Sequence, residues 1–221
     1  MEFVEYPDSE LMMMQLADRL TSEITNCLAA HDHASIAVPG GTTPGPIFDI
    51  LSGAKLHWDR VHVMLTDERK VPADHERSNE RLLRERLLRD EAARARFVRL
   101  VPGPGVEMDD LHRRIAPELP LSILLLGMGA DMHCASLFPN SPQLADALDQ
   151  KAPPVMEVDA PEGLEPRVTL TAPVLRGAMS THVLITGDEK RAALERAQSE
   201  KPENAPIALV LKEATVHWAK E

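Results

Sequence analysis

The chain has 221 residues, 43% hydrophobic and 27% charged. These are ordinary globular proportions, which exclude disorder, a coiled coil and a disulfide-stapled miniature scaffold. Aromatics are only 3%, so aliphatic side chains must fill the core, and the 24 Lys and Arg against 35 Asp and Glu give a net charge of −11. That balance argues against binding nucleic acid or an anionic membrane surface, while leaving room for a local basic site that takes one small anion.

The longest apolar run, Ile123 to Leu126 with its neighbours, is far short of the ~18 to 20 residues that span a bilayer. The acidic start at Glu2, Glu5 and Asp8 lacks the basic, apolar and small-residue series of a secretory signal, so a cytoplasmic location is expected. Cys27 and Cys134 are the only cysteines, too few and too far apart for a zinc cluster or a disulfide framework.

In chain order, residues 9 to 31 read as a helix, because Met13, Leu16, Ala17, Leu20, Ile24, Cys27 and Leu28 recur at three- and four-residue steps. Ser35 to Val38 is a short apolar strand that breaks into a glycine-rich loop, Pro39 to Gly45, followed by a helix from about Pro46 to Leu51. A second strand, Val61 to Leu65, runs directly into Thr66-Asp67-Glu68-Arg69. Ser78 caps a helix through Arg89, with Leu82, Leu83, Leu87 and Leu88 on its buried stripe. The seven arginines between Arg81 and Leu100 read as a solvated face carrying i,i+4 ion pairs. Phe97 to Val101 forms a strand, Pro102 to Gly105 a turn, and Met108 to Ala116 a helix.

Ser122 to Leu126 is apolar throughout after its first residue, the mark of a central parallel strand buried on both faces. Beyond the loop at 127 to 136 come a weak helix from Pro142 to Leu148, strands at Val155 to Val158 and Val168 to Thr171, and a short helix from Pro173 to Ala178. His182 to Thr186 is another strand, and Asp188 opens a helix through Gln198. Ile207 to Leu211 reads as the last strand, with Thr215 to Trp218 as an edge. This alternation predicts one domain over residues 1 to 221, a doubly wound, Rossmann-like α/β fold with a mostly parallel sheet and helices on both faces. In such folds ligands bind beyond the carboxyl ends of the strands, so segments 39 to 45, 66 to 79, 127 to 136 and 186 to 190 are expected to converge.

Their chemistry is uneven. Gly40-Gly41-Thr42-Thr43 lets backbone amides approach a phosphate closely, although no Gly-Lys-Ser/Thr follows to make it a Walker loop. Gly127-Met128-Gly129 follows a buried strand, but Met132 fills the third glycine position of a dinucleotide fingerprint, which excludes that cofactor reading. The same loop places Asp131 two residues before His133, a carboxylate able to orient an imidazole that acts as general base. Neither Ser136 nor Cys134 lies in a nucleophile elbow. His31, Asp32 and His33 read as solvated surface, because a metal site needs further ligands. Lys190, at a strand-to-helix junction, is a phosphate ligand if that junction faces Gly40.

Taken together, VPGGTTP, TDERKVPADHERSN, GMGADMHCASLFPN, PRVTLT and the GDEK junction resemble, in order, the signature segments of the 6-phosphogluconolactonase family. The resemblance spans about residues 10 to 218. It departs at Met132, where the family carries Gly, and at Cys134, where it carries Thr. It implies the fold shared with glucosamine-6-phosphate deaminases and hydrolysis of 6-phospho-D-glucono-1,5-lactone. By the resemblance, Gly40, Gly41, Thr42, Arg167 and Lys190 hold the 6-phosphate, while Asp67 and Asn79 meet sugar hydroxyls. His133 with Asp131 activates water, and Arg69 with backbone amides stabilises the charge on the carbonyl oxygen.

No cofactor or metal is implied, and the expected assembly is a monomer or a small homo-oligomer. A glucosamine-6-phosphate isomerase or deaminase is the rival enzyme, but Leu137-Phe138-Pro139-Asn140 offers no acidic residue where that branch has one. A non-catalytic sugar-phosphate sensor is the third reading, and the single helix before the first strand is too little for a helix-turn-helix.

Overall fold

The computed structural model describes residues 1–101 and 107–220. The turn expected at Pro102 to Gly105 lies outside them. A seven-stranded sheet, parallel at every pairing, has the order β1-β10-β9-β6-β2-β3-β5. Its strands are β1 (Glu2–Tyr6), β2 (Ala34–Val38), β3 (Val61–Leu65), β5 (Arg96–Val98), β6 (Ile123–Gly127), β9 (Ser180–Thr186) and β10 (Thr215–Ala219). A second sheet is antiparallel, with β4 (Asp67–Arg69), β8 (Arg167–Leu170) and β7 (Val155–Val158) in the order β4-β8-β7. The chain passes from the large sheet to the small one at Thr66, whose N–H donates to Val38 O at 2.9 Å while its carbonyl accepts from Leu170 N at 2.9 Å.

The helices are α1 (Ser9–Ala30), α2 (Gly45–Ser52), α3 (Asn79–Arg86), α4 (Met108–Ile115), α5 (Leu144–Leu148), α6 (Ala172–Arg176), α7 (Gly187–Ala197) and α8 (Ala208–Leu211). Asp8 caps α1 by accepting from Leu11 N at 2.7 Å. Its buried stripe of Met12, Met13, Leu16, Ala17, Leu20, Ile24 and Leu28 packs on the sheet. The connections β1-α1-β2 and β2-α2-β3 run toward one edge, whereas β9-α7-β10 runs toward the other. With right-handed crossovers these helices fall on opposite faces of the sheet, and α1 accordingly packs against α2.

Four expectations fail, the first being the single helix before the first strand, since β1 precedes α1. Ile207 to Leu211 is not a strand but a turn of helix, α8. An apolar run this short does not reveal its period. Thr215 to Trp218 is not an edge, because β1 pairs outside it, Glu2 opposite Thr215 through Tyr6 opposite Ala219. Asp67 to Arg69 is a strand of a separate antiparallel sheet, not a loop at a strand end.

Four polar groups are threaded through the core beside β10. Tyr6 Oη lies 2.8 Å from His217 Nδ1, His217 Nε2 3.0 Å from His182 Nδ1, and His182 Nε2 3.0 Å from Glu23 Oε2. A consistent set of donors has Tyr6 donate to His217, His217 to His182, and His182 to an ionised Glu23. Burial, with His182 and Arg19 nearby, pushes His217 down to about 3. Burial opposes ionisation of Glu23, yet its interaction with His182 and the hydrogen bonds from Ser180 and Arg19 together outweigh it and hold the carboxyl down to about 2.

Both folded values lie below the unfolded ones, so this stabilisation is complete above about pH 6.5 and is lost as pH falls, first through His217 and below about pH 4.5 through Glu23. The free energy of unfolding is expected to drop by about 1.4 kcal/mol per pH unit below pH 6 for the one proton that only the unfolded imidazole binds. Urea unfolding at pH 7.5, 6 and 5 measures it, and a flat profile disproves the assignment.

Candidate active site

The sheet order changes direction between β2 and β6: the chain moves outward from β2 to β3 and β5, then returns to β6 on the other side. Loops leaving the carboxyl ends of adjacent strands diverge at such a point, and a cleft opens between them. A cavity of about 400 Å³ lies there, lined by Gly40, Gly41, Thr43, Asp67, Arg69, Arg77, Asn79, Gly129, His133, Arg167 and Lys190 among others. All four segments expected to converge contribute to it. Thr43 lines it where Thr42 was expected, and Asp131 stands behind His133.

The glycines are required by what surrounds them. A Cβ on Gly40 would lie 2.0 Å from Asn79 Oδ1, and Gly41 has φ +84°. The first lets Asn79 close over the loop, and the second sets a left-handed turn that side chains resist. Asn79 is itself held, its Nδ2 donating to Asp67 O at 3.0 Å. Behind it, the buried Glu68 carboxylate accepts from the amides of Arg69, Asn79 and Glu80 at 2.7, 2.8 and 2.6 Å and from Ser78 Oγ at 3.1 Å. Burial raises its pKa against those bonds. Glu68 therefore ties β4 to the start of α3 and sets where Asp67, Arg69 and Asn79 stand.

Asp67 is buried and accepts from Ser136 Oγ at 2.6 Å and Thr66 Oγ1 at 3.1 Å. Ser136 is thus a partner of Asp67 and not a free nucleophile. Cys134 is fully buried, and burial together with the Asp67 charge pushes its thiol far above the ordinary range, away from the reactive thiolate.

His133 Nδ1 lies 2.6 Å from Asp131 Oδ1, which also accepts from the His133 amide at 3.2 Å. The hydrogen bond from His133 holds the Asp131 carboxyl below its usual value against partial burial. The carboxylate thereby places the proton on Nδ1 and leaves Nε2 as the basic nitrogen. The ring also rests on Phe138, with centroids 4.8 Å apart. A Cβ on Gly129 would fall 2.2 Å from His133 Nδ1 and 2.4 Å from Asp131 Oδ1, so glycine there is what lets the pair close.

Met132 has a left-handed backbone at φ +68°, at a cost of roughly 1 to 2 kcal/mol. Its carbonyl accepts from Ile207 N at 3.1 Å and its side chain packs on the core, which holds the loop in place. Met132→Gly is therefore expected to leave kcat unchanged, because the backbone already has the shape glycine would take. A large loss of kcat in that variant, with the fold intact, contradicts this.

Four cations line the same cavity as the imidazole: Arg69, Arg77, Arg167 and Lys190. Arg69 and Arg167 are paired across β4 and β8, Arg69 Nη1 donates to Arg77 O, and Lys190 sits in the first turn of α7. Arg167 is only 5% exposed, and its Nε has no partner among the described residues. Burial and the neighbouring Arg69 guanidinium lower its pKa, and the Asp67 and Glu165 carboxylates offset them only in part. Arg77 and Glu68 were not singled out from the sequence. Both lie inside the TDERKVPADHERSN segment or at its strand, but their roles depend on a register that a linear motif does not display.

An open α/β switch-point cleft with a glycine loop, a cluster of cations and a carboxylate-supported imidazole defines a site for a small anionic substrate. The profile described as glucosamine-6-phosphate isomerases/6-phosphogluconolactonase matches residues 7–218, and the chain belongs to that family. A 6-phosphogluconolactonase of Mesorhizobium japonicum is 39% identical, covering 97% of this chain and 93% of the relative. One of Pseudomonas aeruginosa is also 39% identical, over 92% of this chain and 88% of the relative. The crystal structure of a 6-phosphogluconolactonase from Shewanella baltica superposes with a TM-score of 0.93 at 30% identity, covering 99% of this chain and 97% of that one.

Proposed function

We propose that this chain hydrolyses 6-phospho-D-glucono-1,5-lactone to 6-phospho-D-gluconate, with water as the nucleophile and His133 as general base. The observation that carries the reading is the meeting, in one cavity, of the Asp131-His133 pair with Arg167 and Lys190. Family membership and the relatives' names support the same reaction.

A δ-lactone is an activated ester, so the reaction needs one base and a stabiliser for the oxyanion and no covalent intermediate. His133 Nε2 takes the proton of the attacking water, and Asp131 stabilises the imidazolium that forms. Arg69 and backbone amides stabilise the charge that develops on the carbonyl oxygen. As the tetrahedral intermediate collapses, His133 returns the proton to the ring oxygen that leaves as the C5 hydroxyl. Gly40, Gly41, Thr42, Thr43, Arg77, Arg167 and Lys190 receive the phosphate, whose remote binding energy positions the lactone. Asp67 and Asn79 meet sugar hydroxyls. We read residues 1 to 221 as one domain in which both sheets build this single site, acting as a monomer or small homo-oligomer in the cytoplasm without nucleic acid; among the described residues no helix is long and apolar enough to cross a membrane.

The test is release of 6-phosphogluconate from freshly prepared lactone, followed by a coupled dehydrogenase. A rate above spontaneous hydrolysis that scales with protein concentration is expected. The spontaneous rate alone, together with saturable binding of 6-phosphogluconate, would point instead to a sugar-phosphate sensor.

A further inference from the structure

At the opposite end of the sheet, the strands' amino ends bring together three side chains that the catalytic reading does not use. His33 directly precedes β2, His62 is the second residue of β3, and Glu118 lies in the turn after α4. His62 Nδ1 is 2.7 Å and His33 Nε2 3.5 Å from Glu118 Oε2. One ligand atom from each falls within 4.8 Å of the others. We propose that His33, His62 and Glu118 form a binding site for a divalent zinc-class ion, structural in role and separate from the active site.

The donor set suits that ion: two imidazoles and one carboxylate, with positions left for water. Ligand atoms around a tetrahedral zinc ion lie about 3.4 Å apart, given bonds of about 2.1 Å, close to the separation of His33 from Glu118. Glu118 is 2% exposed, and its backbone carbonyl is fixed by Ser35 Oγ at 2.7 Å, so the carboxylate is a rigid anchor. His62 Nδ1 shares a proton with it, and the ion takes that proton's place while the ring carries its proton on Nε2 instead. The two rings stack with centroids 4.3 Å apart and planes inclined by 20°. His33, whose side chain is 37% exposed, therefore turns about its side-chain bonds to aim its lone pair at the same point.

A groove of about 290 Å³ beside the cluster admits the water ligands and carries the Asp32 carboxylate at its rim. Arg96 lies 3.9 Å from the other carboxylate oxygen, Oε1, and is mostly exposed, so it does not block Oε2. The five residues of β2, at about 3.3 Å each, put this site about 17 Å from the catalytic loops. His31, Asp32 and His33 look solvated in the sequence because the missing ligands, His62 and Glu118, are supplied only by the fold.

Protein stripped with a chelator and titrated with zinc chloride by calorimetry tests the site, with thermal unfolding and cobalt absorption as second readouts. One ion per chain, a higher Tm with zinc and a cobalt spectrum of tetrahedral intensity are expected. His33→Ala, at a partly exposed position, is expected to keep the fold and lactone turnover but weaken zinc binding by at least about 100-fold, since loss of an outer-sphere partner alone costs about 10- to 100-fold. Glu118→Gln is expected to do the same, and His133→Ala to leave zinc binding intact. Absence of binding, or binding that survives His33→Ala and disappears in His133→Ala, overturns the proposal.

Discussion

Replacing His133 with alanine is expected to lower kcat by about 10²- to 10⁴-fold while changing KM little, because the phosphate contacts that bind substrate lie elsewhere in the cavity. Nothing else among the described lining residues is placed to take the proton of water: Asp67 is engaged by Ser136 and Thr66, and Cys134 is buried with its thiol pushed upward. Asp131→Asn is the informative partner. It keeps a group at hydrogen-bonding distance but removes the charge that fixes the tautomer and stabilises the imidazolium, so an intermediate loss confined to kcat is expected. Both variants should unfold like the native chain, since His133 and Asp131 are partly exposed. A His133→Ala enzyme with near-native kcat at pH 7 would sink the general-base assignment.

The second large effect is expected at Arg167, and it runs in two directions. Arg167→Met is expected to lower kcat/KM for the phosphorylated lactone by about 10- to 10²-fold, the value of one charge-assisted hydrogen bond of about 1.5 to 3 kcal/mol. Glucono-1,5-lactone, which lacks the phosphate, should lose far less. Stability should move the other way. Arg167 is buried beside Arg69 with its Nε unpartnered, so methionine removes a desolvated charge and a like-charge repulsion that together outweigh its attraction to Asp67 and Glu165. Without ligand, the Met variant is expected to melt at or above the native temperature. Added inorganic phosphate should raise the Tm of the native chain and not of the variant. Equal loss of activity on both lactones, or a markedly lower Tm, refutes the reading.

The parts of the fold legible in the sequence were those whose pattern exceeds a single local period. Helix α1 shows its stripe over six turns, and β6 shows an apolar run that ends in glycines. Ile207 to Leu211 has the same composition as a buried strand and no length to separate the two, so only tertiary context makes it α8. Strand β1, with glutamates at both Glu2 and Glu5, hides its nature because its outward residues are solvated at an edge. In the site, the linear segments announced the loops and the Asp131-His133 pair. Arg77 and Glu68 were not legible, since the first is held by the Arg69 guanidinium on its carbonyl and by Glu165 on its side chain, and the second acts through amides eleven and twelve residues away.

The pairing of β1 with β10 has a bearing on how the molecule is made. Parallel neighbours both run from the same end of the sheet, and here Glu2 and Thr215 face each other across a separation of 213 residues. Strand β1 therefore leaves the ribosome 213 residues ahead of its sheet partner. Until then β1 is an unpaired edge and the Tyr6 hydroxyl lacks His217. Closing so long a loop has a high entropic cost that no local contact repays. The nascent chain must hold α1 against β2 and its neighbours as a partial sheet, with β10 inserting last between β1 and β9. A break in synthesis before Thr215 leaves two open strand edges, the configuration most prone to pairing with another chain.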